Sequence, residues 1–404
     1  MATNYTSVDE ALKRDYLPVL QKQIVKKVKT WDLLQKSTEG IKGRDLYIKM
    51  FKSFPQGVGP AAAEATLPTP GQAGYKEGKV SVKRNYAVVQ FDAMMEKEKN
   101  SIVDIIDFEM QAAEDSLAKE LNFQLAFGDG SGKRAQVNGA VSSSATVNVD
   151  MVGLDGRANA VDFLAVGQYI DIHNGSTYQV TNKMISAVNS ATQITLESAV
   201  SCDDNAYIYR TGSKDLSMMG IPGIVNSAGT IQTIDPSTDT WWKSYTKDMG
   251  AKWSTSDGLF LDVIQETIDE IQWNSNGKIN LIYAWPLFQR QYRYAMEAKR
   301  RIVNTLDFKE GRKGLAFVTE YGEISIMADT FLPQFKVYFL DTSKLSLRTL
   351  DGIHWEEKDG AILRFLERKD VFIAWLKLYA ELAVTSRNSH GYWTNTGTSV
   401  GDYT

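Results

Sequence analysis

The sequence predicts an α+β chain of several domains, and three features carry that expectation. Gly43 to Phe54 has period-two patterning, and a small-residue and proline-rich excursion from Pro55 to Gly74 separates it from a charged strand pair, Tyr75 to Asp92. A long amphipathic helix, Ser101 to Phe127, comes next. Beyond it the composition turns to Val, Ser, Thr, Asn and Asp in short strands, and from Gly220 to alternating helices and strands. A Gly/Ala/Pro-tipped arm ahead of a long helix has little to bury inside a self-contained globule. It makes sense as an arm that lies on a neighbouring copy of the same protein.

At 404 residues the chain is long enough for two or three domains with a substantial core. Its 43% hydrophobic and 23% charged residues are those of an ordinary globular protein. A net charge of −4 supplies no global pull toward nucleic acid or acidic membranes. Cys202 is the only cysteine, which excludes an intramolecular disulfide and thiol-rich metal sites. Residues 1–20 mix Asp9, Glu10, Lys13, Arg14 and Asp15 with apolar residues, unlike the continuous apolar middle of a signal peptide. No run of about 18 apolar residues exists to form a membrane-spanning helix.

Leu17, Leu20, Ile24, Val25, Val28, Trp31 and Leu34 recur at helical spacing, with Lys22, Lys26, Lys27 and Lys29 on the remaining face. This segment either docks on its own subunit or crosses to a neighbour. Leu46, Ile48 and Met50 alternate with Tyr47, Lys49 and Phe51 as in a strand. Val80, Val82, Val89 and Phe91 repeat that period among Lys76, Lys79, Lys83 and Arg84. A two-stranded ribbon projecting alone is marginal in water, so it needs a partner surface. In the long helix, Ile102, Ile106, Met110, Ala113, Leu117, Leu121 and Leu125 form one apolar stripe, with Ser101 and Asp104 as a capping pair and Gly128 as its stop.

Short strands are expected at 169–172, 178–180, 193–196 and 206–209, with Asn174-Gly175 as a hairpin turn. Then come a helix carrying Phe260, Ile264, Ile268 and Ile271, the strand 279–284, and a helix opened by Pro286. Strands at 315–319, 324–327, 337–340, 361–366 and 371–383 follow, and the chain ends in polar residues from Ser386.

Catalytic chemistry is not advertised. His173, His354 and His390 are scattered, with no second histidine or cysteine at ligand spacing. Gly128-Asp-Gly-Ser-Gly-Lys133 follows a helix instead of opening one, so no helix N-terminus would face a phosphate. Asp203 and Asp204 beside Cys202 suit a solvated turn better than a cation site. Glu266, Asp269 and Glu270 fall on the outer face of a helix, the usual place for solvated charge. The expectation is a protein that is not an enzyme, with no cofactor, no metal and no membrane partner.

This order of parts resembles the major capsid proteins of tailed bacteriophages, the Hong Kong phage capsid fold. The residues that carry the resemblance run in sequence: the arm, the extended loop, the spine helix at 101–127, Gly220-Ile-Pro-Gly223-Ile, the segment around Ala284-Trp-Pro286, and Tyr379 to Gly391. It implies an N-terminal arm (1–42), an extended loop (43–97), a spine helix of a peripheral domain (98–132) and an axial domain (215–345). The remainder, 346–404, returns to the peripheral domain and ends the chain. Residues 133–214 lie outside the minimal fold, as an all-β insertion that braces the subunit or projects outward.

The function implied is a self-assembling shell of hexamers and pentamers around double-stranded DNA, bound without sequence specificity. The resemblance further implies a separate scaffolding protein and a portal, leaves room for a decoration protein, and places the chain in a virion capsid assembled in the host cytoplasm. Lys76, Glu77, Lys79, Lys83 and Arg84 on the extended loop are the expected assembly contacts, since mixed charges suit ion pairs between subunits. The alternatives are an encapsulin-like nanocompartment shell and an enzyme with an inserted β domain.

Overall fold

The computed structural model describes residues 29–39, 41–42, 45–61, 63, 66–92, 102–150, 160–250, 259–275, 277–298, 305–307, 313–357, 363–365, 369–394 and 396. About 19% is helix and 45% strand, an α+β composition. Of the expected N-terminal helix only Lys29–Leu33 falls within the described residues, and the Ser101 cap lies outside them.

The spine helix Ile102–Ala126 spans 25 residues, about 37 Å at 1.5 Å per residue. It lies between two sheets. Leu117, Leu121 and Leu125 enter one core with Leu376, Leu378 and Leu382 of the first sheet and with Leu281, Tyr283 and Leu340 of the second. Polar clasps fix the helix on the first sheet: Gln124 Nε2 donates to Asn85 Oδ1 at 3.0 Å, and Trp355 Nε1 to Glu114 Oε1 at 2.7 Å.

The first sheet has six strands built on the 14-residue strand Val371–Val384. Lys83–Asp92 runs antiparallel along one side of it. Leu345–Thr349, His354–Trp355 and Arg364–Phe365 pair along the other side, with Gln35–Ser37 parallel to Leu345–Thr349. The second sheet has seven strands, in the order Tyr245–Asp248, Gly391–Thr394, Val337–Leu340, Leu281–Ala284, Gly322–Ala328, Lys313–Thr319 and Thr305–Asp307. Helices Leu259–Ser275 and Pro286–Ala298 cover its outer face, with Ile264, Ile268, Ile271 and Phe288 packed on Ile282, Phe339 and Trp393.

Six strands between Lys133 and Arg210 form a closed barrel. Lys133–Val137 and Val141–Asp150 join the four strands read from the sequence, and Thr177–Ser190 is far longer than its apolar signal at 178–180. Its interior is filled by alternating residues such as Val147, Val149, Ile170, Ile172, Ile194 and Ile208. Gly175 turns the hairpin with φ 60°. Asp203 and Asp204 lie in a turn as expected, accepting from Asn174 and from the Gly139 N–H. The barrel is tied to the spine helix by Arg134, whose Nη2 donates to Glu120 Oε1 at 2.6 Å. Desolvation raises the half-buried Glu120 carboxyl, but Arg134 and Arg210 outweigh that and hold it below the ordinary range.

Two expectations are corrected. Tyr75 to Asp92 is not one strand pair: Gly74–Ser81 pairs with Asp45–Ser53, whereas Lys83–Asp92 belongs to the first sheet. Residues 387–394 are not part of a polar tail. Gly391–Thr394 lies second in the seven-stranded sheet, and Arg387, His390 and Trp393 are fully buried. Backbone partners meet part of this polarity: Arg387 Nε donates to the Ile224 carbonyl at 2.9 Å, and His390 Nδ1 accepts from the Asp341 N–H at 3.2 Å.

The crossing from barrel to second sheet runs beneath the end of the spine helix. A Cβ on Gly220 would fall against the carbonyl oxygens of Gln124, Leu125 and Gly128. Gly220→Ala is therefore expected to cost roughly 2–4 kcal/mol in a urea unfolding curve, because the obstruction is backbone and cannot rotate away. Beside it, Glu381 accepts from the Met219 N–H at 2.7 Å and the Leu382 N–H at 3.1 Å. Burial pushes its carboxyl up to about 8. A raised acid contributes stability below the unfolded value near 4.5 that is lost as pH rises through about 8. Glu381→Gln is thus expected to be more stable than the wild type at pH 9, by on the order of 1–3 kcal/mol, and nearly equal to it at pH 4.5. An unchanged difference across that range would contradict this account.

Candidate assembly surface

Alternation on the strand Asp45–Ser53 gives the ribbon two unlike faces. Leu46, Ile48 and Met50 face inward: Leu46 packs with Val80 and Ala383, and Met50 joins the main core. Tyr47, Lys49 and Phe51 face outward, opposite Lys79, Glu77 and Tyr75 of the paired strand. Tyr47 is 55% exposed and Tyr75 68%, so a broad aromatic stripe faces solvent. The Phe51 ring meets Phe54 edge-on at 4.8 Å and Tyr75 at 5.9 Å, which holds the stripe in one shape.

Beyond the strands, Phe54, Val58 and Leu67 are 77%, 84% and 80% exposed, the reverse of what folding alone would select. Glu64 is the one charged residue between 54 and 73. The two legs of the tip touch at Gly57 and Gly71, where a Cβ on Gly71 would lie 2.6 Å from the Gln56 nitrogen. The tip is a narrow apolar finger held at its neck by backbone contact.

The ribbon base is fastened to its own subunit. Lys52 and Lys76 converge on Asp239 at 3.0 and 2.8 Å, and the Lys79 N–H donates to the Gln232 carbonyl at 3.0 Å. Hydrogen bonds from Lys76 and then Lys52 hold the Asp239 carboxyl down to about 2. Stability from a depressed acid is present above its unfolded value of 3.8 and lost as pH falls through about 2, so this clasp persists over the neutral range. Asp239→Asn is expected to loosen the ribbon without unfolding the subunit, read as faster trypsin cleavage after Lys52 and Lys76. Unchanged cleavage would show that the apolar face alone holds it.

The five charged residues singled out from the sequence separate here. Lys76 points inward to Asp239, Lys79 pairs with Asp45 at 3.0 Å, and Lys83 Nζ donates to the Asp215 carbonyl at 2.9 Å. Glu77 is exposed on the outward ribbon face, and Arg84 is exposed on the first sheet opposite Tyr379. The aromatic stripe was not singled out. Its signal was present: aromatic residues occupied the polar phase of an alternating strand.

The exposed face of the first sheet adds Tyr86 at 48% and Val88 at 55%, beside Trp375 and Tyr379 of the facing strand. Such surfaces suit extended contact with another protein, not chemistry on a small molecule. Among the described residues no group of three His, Cys, Asp or Glu is placed to hold a metal ion. No described helix is long and apolar enough to cross a membrane.

No protein-family model matches the sequence, and no curated protein sequence does. Solved structures do. The capsid subunit of cyanophage A-1(L) superposes with a TM-score of 0.54 at 15% identity, covering 95% of this chain and 97% of that one. The capsid subunit of a native GTA particle gives 0.51 at 8% identity, covering 97% and 99%. The match runs nearly end to end in both directions. The chain has the fold of tailed-phage major capsid proteins.

Proposed function

We propose that the protein is the major subunit of an icosahedral phage shell, built as hexamers and pentamers around double-stranded DNA. The carrying observation is an apolar finger and aromatic ribbon face, solvent-exposed on an isolated subunit, within a chain that matches capsid subunits over nearly its whole length. In this reading the fold is of the Hong Kong type, residues 133–214 are an insertion that braces the spine helix through Glu120, Arg134 and Arg210, and the extended loop reaches a neighbour. The role is structural, in the virion, with DNA enclosed and not read. Scaffolding protein and portal are the partners that would direct closure.

Contact between unlike patches, repeated by rotation, closes into rings. The ribbon supplies one such patch and the exposed face of the first sheet is available as the other. Glu77 and Arg84 are the sequence-chosen charges left facing outward to set register. The test is electron microscopy and sedimentation of the purified chain, alone and co-expressed with a scaffolding protein. Rings of five and six or closed shells are expected. A chain that stays monomeric in every condition overturns the reading.

A further inference from the structure

The chain contains three Asn-Gly pairs, at 138–139, 174–175 and 276–277. Asn before Gly is the arrangement most prone to lose its side-chain amide, because no Cβ shields the following backbone nitrogen. As dipeptides the three are alike, but their surroundings in the fold are not. Asn174-Gly175 closes the barrel hairpin between Tyr169–Asn174 and Thr177–Ser190, where Asn174 pairs with Thr177. Asn174, Gly175 and Ser176 are all exposed. The Gly175 N–H donates no hydrogen bond among the described residues, and nothing lies within 4 Å of where a Cβ would stand. Lys214 Nζ donates to the Gly175 carbonyl at 2.7 Å, so a cation stands one peptide from the nitrogen that must lose its proton. Asp203 accepts from the Asn174 amide at 2.9 Å, and its charge partly offsets that of Lys214.

Asn138-Gly139 turns the hairpin between Lys133–Val137 and Val141–Asp150 and is equally exposed. Its reacting nitrogen is engaged, however. The Gly139 N–H donates to the Asp204 carboxylate at 2.7 Å, a charge-assisted bond that opposes loss of the proton. The Asn138 amide is held as well, by Asp150 at 3.1 Å. In the third pair Gly277 is buried, its N–H donates to Ser275 Oγ at 3.1 Å, and a Cβ there would meet Ser389 at 2.8 Å.

We propose that Asn174 is a self-modification site, converted to aspartate and isoaspartate through attack by the Gly175 nitrogen, while Asp204 protects Asn138 from the same reaction. Hydroxide takes the Gly175 amide proton and becomes water. The nitrogen then bonds to Asn174 Cγ, and the Cγ–Nδ2 bond breaks. The departing nitrogen takes a proton from water and leaves as ammonia, which restores the hydroxide. A second water opens the five-membered imide at either carbonyl carbon. One opening leaves aspartate; the other leaves a backbone one methylene longer. Both products set a carboxylate beside Asp203 where an amide had donated to it, so repulsion replaces a hydrogen bond at the hairpin tip. The longer backbone also disturbs a register that the two-residue turn sets. This inference concerns the barrel and stands apart from the shell-subunit reading.

The experiment incubates the purified full chain at mildly alkaline pH and follows its tryptic peptides by mass spectrometry. Cleavage after Arg134, Arg157 and Lys183 puts Asn138 and Asn174 on separate peptides. A gain of about 1 Da is expected at Asn174 at least about tenfold faster than at Asn138, the weight of one hydrogen bond to a charged group. In guanidinium chloride the two should react at similar rates, because Asp204 no longer holds the Gly139 N–H. Asp204→Ala should let Asn138 react in the folded chain and leave the rate at Asn174 unchanged, with thermal melting as the check on folding. If that variant does not fold, Asp204→Asn replaces it and should give Asn138 an intermediate rate. Equal rates in the folded wild type, or an Asn174 that stays intact, overturn the inference. A difference that persists in guanidinium chloride, or an Asn138 that stays inert without the Asp204 carboxylate, overturns the protection by Asp204.

Discussion

Replacing residues 56–73 by a short glycine–serine linker is expected to leave a folded monomer and to abolish closed shells. Phe54 and Val58 rest on no core cluster, and the ribbon below the excision keeps its Asp239 clasp and its Leu46–Val80–Ala383 contact. Removing exposed, coreless chain costs little, so the urea midpoint should move by no more than about 0.5 kcal/mol equivalent. Assembly is another matter. A finger exposing Val58 and Leu67 with a single charge has its apolar surface to bury only against another molecule. A shell repeats that contact at every subunit, so even a modest loss per contact accumulates. Electron microscopy of the variant should show monomers, or rings that do not close. Shells of normal form would remove the finger from the assembly mechanism, and an unfolded monomer would assign the segment to the core.

Arg387→Ala is expected to be the most damaging single substitution for the subunit itself. The guanidinium is fully buried and donates to four carbonyls: Ile224 at 2.9 Å, Gly229 at 3.0 Å, Trp242 at 3.4 Å and Ala228 at 2.6 Å. Ile224 ends a short helix, and the other three lie in the irregular stretch between it and Tyr245–Asp248, so one side chain ties that stretch together. Burial lowers the Arg387 pKa to about 10, yet it stays charged at neutral pH. Deleting the donor strands several acceptors at once, for a cost of about 3–5 kcal/mol against a typical total of about 5–15 kcal/mol. Arg387→Lys should recover only part of it, since one ammonium cannot span a planar fork of carbonyls. Urea midpoints of the two variants measure this, and near-equal midpoints would contradict the fork argument.

His390 sets an acid limit on the same segment. Burial lowers its pKa to about 4, partly offset by Asp341. The unfolded chain takes up the proton first, so this contribution is full above about 6.5 and is lost as pH falls through about 4.

Strongly periodic elements were legible at the level of residues. The spine helix, Leu259–Ser275, the helix opened by Pro286 and the strand Val337–Leu340 all appear where their patterns placed them. Their apolar stripes face cores whose nature is local to each element. Strands with diluted patterns were missed: Val141–Asp150 carries Ser, Thr and Asn on its outward phase and only Val147 and Val149 deep in the barrel. The last strand was missed for the opposite reason. Arg387, Asn388, Ser389 and His390 look solvated, and only the carbonyls and the Asp341 N–H waiting for Arg387 and His390 make their burial tolerable.

The outward aromatics and the charged residues show the division most clearly. Periodicity determined that Tyr47 and Phe51 would share a face, because side chains two apart on a strand must, while Tyr75 joined them only through the pairing of the two strands. It also determined which residues could carry charge near them. Which charges remain free was decided only in three dimensions, where Asp239, Asp45 and the Asp215 carbonyl engage Lys76, Lys79 and Lys83. Whether Lys83 to Asp92 continues the ribbon or joins the sheet was decided there too, by the long strand Val371–Val384 offering ten paired residues in register. A sequence specifies the period of each element through bonds between near neighbours. Partners 100 to 300 residues away are chosen by burial and hydrogen bonding, which exist only once the chain has closed on itself.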